Sequence, residues 1–244
     1  MKKFGMLMVM VMLMAVMLSG CGDPGYVTTA ELEAQNTAMK EQAAERQREK
    51  EEEEAAEKEK EMAERAAANA DKKKELGITG DVYADIVIRD YGTITVKLDF
   101  DAAPITVTNF IQLAESGFYD GLTFHRIMKG FMMQGGDPLG NGTGGSDETI
   151  VGEFEENGYY NPISHVRGVI SMARATDPNS ASSQFFIVHE DSQASLDGKY
   201  AAFGMVTEGM NVVDAVCDNA QPVDDNGTIL AEEQPVIEKI VIRK

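Results

Sequence analysis

The chain is short of the residues that most often announce a chemistry. Two cysteines and three histidines are spread through 244 residues. Cys21 and Cys217 offer no disulfide framework, so an exported domain would have to be stable without staples. Cys217 lies in MNVVDAVCDNA, a setting that predicts a small buried hydrophobe rather than a reactive thiol. His125, His165 and His189 are too dispersed to hold a metal, and none is expected. Basic residues are outnumbered, 22 Lys+Arg against 41 Asp+Glu. That balance provides no phosphate-neutralising surface, and nucleic acid is excluded as an expected partner. The glycines Gly135, Gly136, Gly142, Gly144 and Gly145 are followed by no GK[ST] and surrounded by no βαβ alternation, so they read as turns rather than a phosphate cradle. No GxSxG elbow is present, which leaves hydrolysis unsupported.

What is present begins with MKKFGMLMVMVMLMAVMLSGC: two lysines, then an apolar run too short for a comfortable membrane span and laid out as a secretory signal. Its end, LSGC, resembles the lipobox of bacterial lipoproteins. The resemblance implies a signal peptide over residues 1–20, acylation (palmitate) of Cys21, and a protein held to the outer side of a bacterial membrane by lipid. An ordinary signal peptide with a chance cysteine is the alternative. From Thr28 to about Lys74 there is neither Pro nor Gly, and Thr28 and Glu31 have capping-box spacing. The segment predicts helix, yet Leu32 and Met39 are followed at the next heptad step by Arg46, so no coiled-coil seam is sustained. Residues 21–79 therefore read as a lipid-anchored, acidic, helical linker.

Residues 80–244 are enough chain for one proper core. β-Branched runs appear at 85–99, 168–173, 184–189, 201–206 and 235–244, each bounded by turn formers. Helical patterns interrupt them at 104–117, with Pro104 at a helix-compatible first position, and at 208–217. Many short strands and two helices, without βαβ alternation, predict a mostly β, antiparallel barrel or sandwich with helices at its ends.

Four segments then become specific: FHRIMKGFMMQGGDP (124–138), NGTGG (141–145), SMARATDPNSASSQFFIV (171–188) and LDGKYAAFG (196–204). In this order they resemble the signature segments of the cyclophilin family of peptidyl-prolyl cis-trans isomerases, and the likeness runs over 82–244. The resemblance implies an eight-stranded antiparallel barrel capped by two helices, with a shallow active groove on its outer face and no cofactor. It places catalytic roles on Arg126 and Gln134, and substrate contacts on Phe131, Met132, Ala173, Gln184, Phe186, Leu196 and Tyr200. His125 would be structural. Arg174 stands where many relatives have Asn, at a position thought to use its backbone. Ser195 replaces the tryptophan that eukaryotic members use for cyclosporin, so weak cyclosporin binding is expected.

The residue types suit the reaction. Rotation about an X-Pro bond meets a barrier of roughly 18–20 kcal/mol, and a catalyst must favour the twisted amide over both planar forms. A guanidinium is always charged and holds its donors in a fixed plane. The partners expected are proline-containing exported polypeptides. The competing reading is a chaperone or scaffold that binds such segments without catalysis. A further alternative makes the acidic spacer the functional part.

Overall fold

The computed structural model describes residues 29–244. The signal segment and Cys21 lie outside the described residues. The chain divides into two compact units, Met1–Lys60 and Glu61–Lys244. Helix α1, Thr29–Glu75, crosses that division as 47 continuous residues. From Glu33 to Glu57 every side chain is exposed, Met39 included, as a helix without a sustained apolar stripe allows. Its last turn carries Lys72, Lys73 and Lys74, cations at the negative end of the helix dipole. Within the second unit Lys73 pairs with Asp101 at 2.8 Å, and Ile78 is buried in the barrel core with Leu76 packed against it.

Eight strands make one sheet: β1 Val82–Ile88, β2 Gly92–Leu98, β3 Thr123–Met128, β4 Met132–Asp137, β5 Val169–Met172, β6 Phe185–Val188, β7 Ala201–Glu208 and β8 Ile237–Arg243. Their order is β3-β4-β6-β5-β7-β2-β1-β8, and every pairing is antiparallel. Residues beside the two outer strands close the ring: Gly121 N–H donates to the Ile237 carbonyl, and Ile237 N–H donates to that of Leu122. Of the helices, α2 (Pro104–Glu115) and α4 (Met210–Asn219) bury apolar faces in the core, and α3 (Gln193–Leu196) is a single turn. The first turn of α2 has no side-chain cap of its own. Buried Glu153 supplies one from a distant loop, accepting from Ile105 N–H at 3.0 Å and Thr106 N–H at 2.8 Å.

Strands β3 and β4 are missing from the β-branched runs of the sequence, because His, Arg, Gln and two glycines interrupt their pattern. The long run over 85–99 splits at Asp90, whose φ of 64° makes the turn between β1 and β2. Cys217 is buried, and burial pushes its thiol up to about 12.

Candidate active site

Strand alternation would put Arg126 on the same face as Phe124, inside the barrel. A bulge prevents this. Phe124 pairs with Gly135, and Arg126, two residues on, pairs with Gln134, so His125 is the extra residue. Phe124 and Ile127 stay in the core while Arg126 turns to the outer face beside Gln134. A histidine before the arginine is therefore a geometric device: it changes the face on which the next side chain emerges.

The outer face carries its own apolar cluster, separate from the core. In β6, Phe185 and Ile187 point inward, and Phe186 and Val188 join Met132, Val169, Leu196 and Ala202 outside. Phe131, Ala173, Tyr200 and Met128 are partly buried against that cluster. Pairing across the sheet sets Arg126 opposite Gln134, Gln134 opposite Phe186 and Phe186 opposite Ser171. All nine groove residues named from the sequence thus lie on this face or in the polar row that borders it.

The polar row has a direction. Gln184 Nε2 donates to the carbonyls of Gly144 (2.7 Å) and Gly142 (3.2 Å), so its Oε1 faces Gln134 and accepts from Nε2 at 2.9 Å. That in turn points Gln134 Oε1 at Arg126 Nη1, 3.1 Å away. Backbone carbonyls, which can only accept, thereby fix both amide orientations. Arg126 Nε donates to the Asn226 carbonyl at 2.8 Å, and Nη2 contacts Met128 Sδ at 3.2 Å. A guanidinium has five N–H donors. Three are engaged, leaving one on each terminal nitrogen. Partial burial lowers the pKa of Arg126, with Tyr200 and Asp224 opposing, and a guanidinium still keeps its charge at any physiological pH.

Several supporting residues escaped the sequence reading. Asp137 is buried and accepts N–H bonds from Leu139 (2.8 Å), Asn141 (3.0 Å) and Gly142 (2.6 Å), fixing the loop whose carbonyls anchor Gln184. Burial alone would raise its carboxyl, but those donors and Gly144 N–H hold it below the usual carboxylate range. The Arg174 side chain, for which the sequence reading offered no role beyond its backbone, is clamped between two rings, 5.0 Å from Phe154 and 4.9 Å from Tyr200. Tyr200 meets Phe186 edge-on at 5.8 Å. The only signals in the sequence were turn formers in GDPLGNG and aromatics without periodicity.

The histidines are structural in three ways. His125 is buried, both its ring nitrogens lack a partner, and burial lowers its pKa, so it stays neutral. His189 Nδ1 accepts from Gly130 N–H at 2.9 Å, beside Phe131. His165 stacks on Phe186 at 6.1 Å. Its Nδ1 donates to Asp197 at 2.8 Å, and Nε2 accepts from Ser171 Oγ at 2.9 Å. This is the hydrogen-bond order of a hydrolytic triad, but Ser171 is fully buried and reaches no substrate.

Comparison with known proteins agrees with this geometry. The model of the family described as cyclophilin type peptidyl-prolyl cis-trans isomerase/CLD matches residues 83–244. Peptidyl-prolyl cis-trans isomerase B of Bacillus subtilis is 49% identical over 124 residues, 51% of this chain and 82% of that protein. A peptidyl-prolyl cis-trans isomerase of Helicobacter pylori is 43% identical over 147 residues, 59% of this chain and 85% of that one. The crystal structure of a cyclophilin type isomerase from Cryptosporidium parvum, determined in the presence of the dipeptide Ala-Pro, superposes with a TM-score of 0.58 at 31% identity, covering 66% of this chain and 99% of that chain.

Proposed function

The chain belongs to the cyclophilin type peptidyl-prolyl cis-trans isomerase family, and from that premise we propose that Arg126 and the apolar cluster beside it form its active site, acting on proline-containing segments of exported polypeptides. No bond is made or broken. As the X-Pro amide twists, its nitrogen regains a lone pair, and the two N–H groups left on the Arg126 terminal nitrogens donate to that nitrogen and to the neighbouring carbonyl oxygen. Gln134 orients the guanidinium and helps hold the substrate carbonyl. Because both amides of the row are fixed in advance, the donors need no reorganisation at the transition state.

Phe131, Met132, Phe186 and Leu196 grip the proline ring. Desolvating a ring of that size is worth about 2 kcal/mol, enough to hold one side of the bond still while the other turns. The Ala-Pro dipeptide in whose presence the Cryptosporidium relative was crystallised is a molecule of this class. Ala173, Gln184 and Tyr200 border the pocket and would meet the flanking residues.

The observation that carries this reading is a single row across three strands, in which Gln134 stands between a cation with two unused donors, Arg126, and an aromatic pocket wall, Phe186. The test is cis/trans exchange of an X-Pro peptide followed by NMR, with circular dichroism as the folding control. Arg126→Ala should lower kcat/KM on the order of 10²–10³. A well-folded variant with undiminished exchange would remove Arg126 from the catalytic role, whereas wild-type protein that bound the peptide without accelerating exchange would favour peptide binding without catalysis.

The same proposal places the enzyme outside the cell membrane, anchored by lipid on Cys21, where it assists the folding of exported proteins. LSGC after an apolar run supports that placement. No helix among the described residues is long and apolar enough to cross a membrane. Helix α1, at 47 residues about 70 Å long, with every side chain from Glu33 to Glu57 exposed, suits a spacer.

A further inference from the structure

We propose that Asp224 is a positioning residue for the reaction, setting the plane of the Arg126 guanidinium through the backbone carbonyl of Asn226. The inference rests on Arg126 being the catalytic cation. Arg126 is held at three points, and Gln134 and Met128 account for two of them. The other is the 2.8 Å bond from Nε to the Asn226 carbonyl, and Nε is the atom about which the guanidinium plane is fixed.

The Asn226 carbonyl occupies a loop with no regular structure of its own, and Asp224 builds that loop. Asp224 Oδ1 accepts from Asn226 N–H and from Thr228 N–H, both at 3.0 Å, and Oδ2 accepts from Thr228 Oγ1 at 2.8 Å. Gly227 N–H closes the turn on the Asp224 carbonyl at 3.2 Å. The loop is then laid along β3 on both sides of Arg126. Ile127 N–H donates to Gly227 O at 2.8 Å, and Ile229 N–H donates to His125 O at 3.0 Å, with a bridge between Arg126 and Thr228. Gly227 is what lets the loop come so close. Its φ is +85°, and a Cβ there would lie 2.5 Å from Met128 Cγ and 2.7 Å from Ile127 O.

One exposed carboxylate therefore holds the N–H groups of Asn226 and Thr228, on either side of the peptide unit whose carbonyl is the acceptor for Arg126. Without it, Asn226 can tilt, Nε loses its acceptor, and the guanidinium turns about its own stem. The two terminal N–H groups would then miss the nitrogen and the oxygen together. Geometry of this kind matters at the level of an ångström. The residues that grip the proline ring lie on β4, β6, α3 and the turn before β4, not on this loop, so ground-state binding should hardly change.

The test is a double-mutant cycle in the full-length enzyme, read by NMR exchange of an X-Pro peptide at several substrate concentrations. Asp224→Ala should lower kcat about tenfold and leave KM within about twofold. Asp224→Asn, which keeps one acceptor oxygen, should recover most of the loss. In an Arg126→Ala background, Asp224→Ala should have no further effect, and the Arg126 Nε–H resonance should shift in Asp224→Ala. Wild-type exchange in Asp224→Ala overturns the proposal while leaving Arg126 in place. So does a loss of the same factor in the Arg126→Ala background, which would mean a general structural role. Should Arg126→Ala itself retain full activity, the catalytic reading fails instead. If Asp224→Ala does not fold, Thr228→Val, which removes one of the Asp224 bonds, should show a smaller loss with the same kcat pattern, and its absence counts against the proposal.

Discussion

The Arg174 guanidinium carbon lies 4.9 Å from the centre of the Tyr200 ring. Tyr200 leans edge-on against Phe186, so a cation outside the groove holds a wall inside it. A cation–π contact of this exposure is worth about 0.5–1 kcal/mol. Arg174→Ala should raise KM about two- to fivefold and leave kcat nearly unchanged, measured by exchange at varied peptide concentration. A fall in kcat with constant KM would mean that Arg174 acts on the rotating bond instead.

Two substitutions should separate the cation from the grip. Arg126→Lys should cost nearly as much as Arg126→Ala, because a point ammonium cannot present two donors in one plane. Phe131→Ala should act mainly through KM, by loss of apolar contact with the ring. Peptide titrations monitored by amide shifts give the binding half of the comparison. Tight binding by Phe131→Ala with depressed exchange would contradict the division.

Asp137 should show its role in acid. Its folded pKa lies below the ordinary value of 3.8, so the native state holds the ionised form better than the unfolded chain does. The stabilisation is complete above 3.8 and is lost as pH falls through the folded pKa. Asp137→Asn should cost about 2–3 kcal/mol near neutrality, and the gap to wild type should stay level down to about pH 5 and narrow as pH falls below 3.8 toward the lower folded pKa. Urea midpoints across that range test this, and a gap independent of pH would assign the effect to shape alone.

Ser195 is exposed on the one-turn helix α3, next to the pocket residue Leu196. Cyclosporin should bind the protein weakly. Ser195→Trp, which adds a large ring and an N–H donor, should strengthen binding at least tenfold, since aromatic anchors of this kind can be worth about 2 kcal/mol or more. Calorimetry with both forms decides it, and equal affinities would make the position irrelevant.

The anchoring proposal is tested at Cys21. The wild-type protein should sediment with membranes and leave them in detergent. Cys21→Ser should accumulate unprocessed or appear in the soluble fraction. Identical processing and sedimentation of the two forms would remove the lipobox reading.

Periodicity made the antiparallel β class and the helices at 104–115 and 210–219 legible, because burying one face leaves its repeat in the residue types. The groove residues were legible only through family resemblance, since FMM and QFFI taken alone read as ordinary core strand. The bulge at His125 was not legible: nothing in FHR says that two residues will face one across the ladder. Nor were Asp137 and Glu153, whose carboxylates bond to backbone N–H groups. Such bonds depend on where a loop lies, and a peptide N–H leaves no trace in the choice of residue. The role of the Arg174 side chain was not legible for a related reason. Its partners, Phe154 and Tyr200, are 20 and 26 residues away along the chain and meet it only after folding.

β8 comes last in strand order, yet it covers the free side of β1 from Tyr83 to Ile88 and its first residue seals the ring at Gly121 and Leu122. During synthesis, then, β1 is among the first strands made and must wait for the whole domain before it has a second neighbour. Until that moment two strand edges stand bare, which is the state in which sheets join the wrong chain. For a protein threaded through a membrane from its N-terminus, those edges would emerge on the far side before their cover does. A chain exported as proposed would need both edges kept from other chains until its last strand arrived.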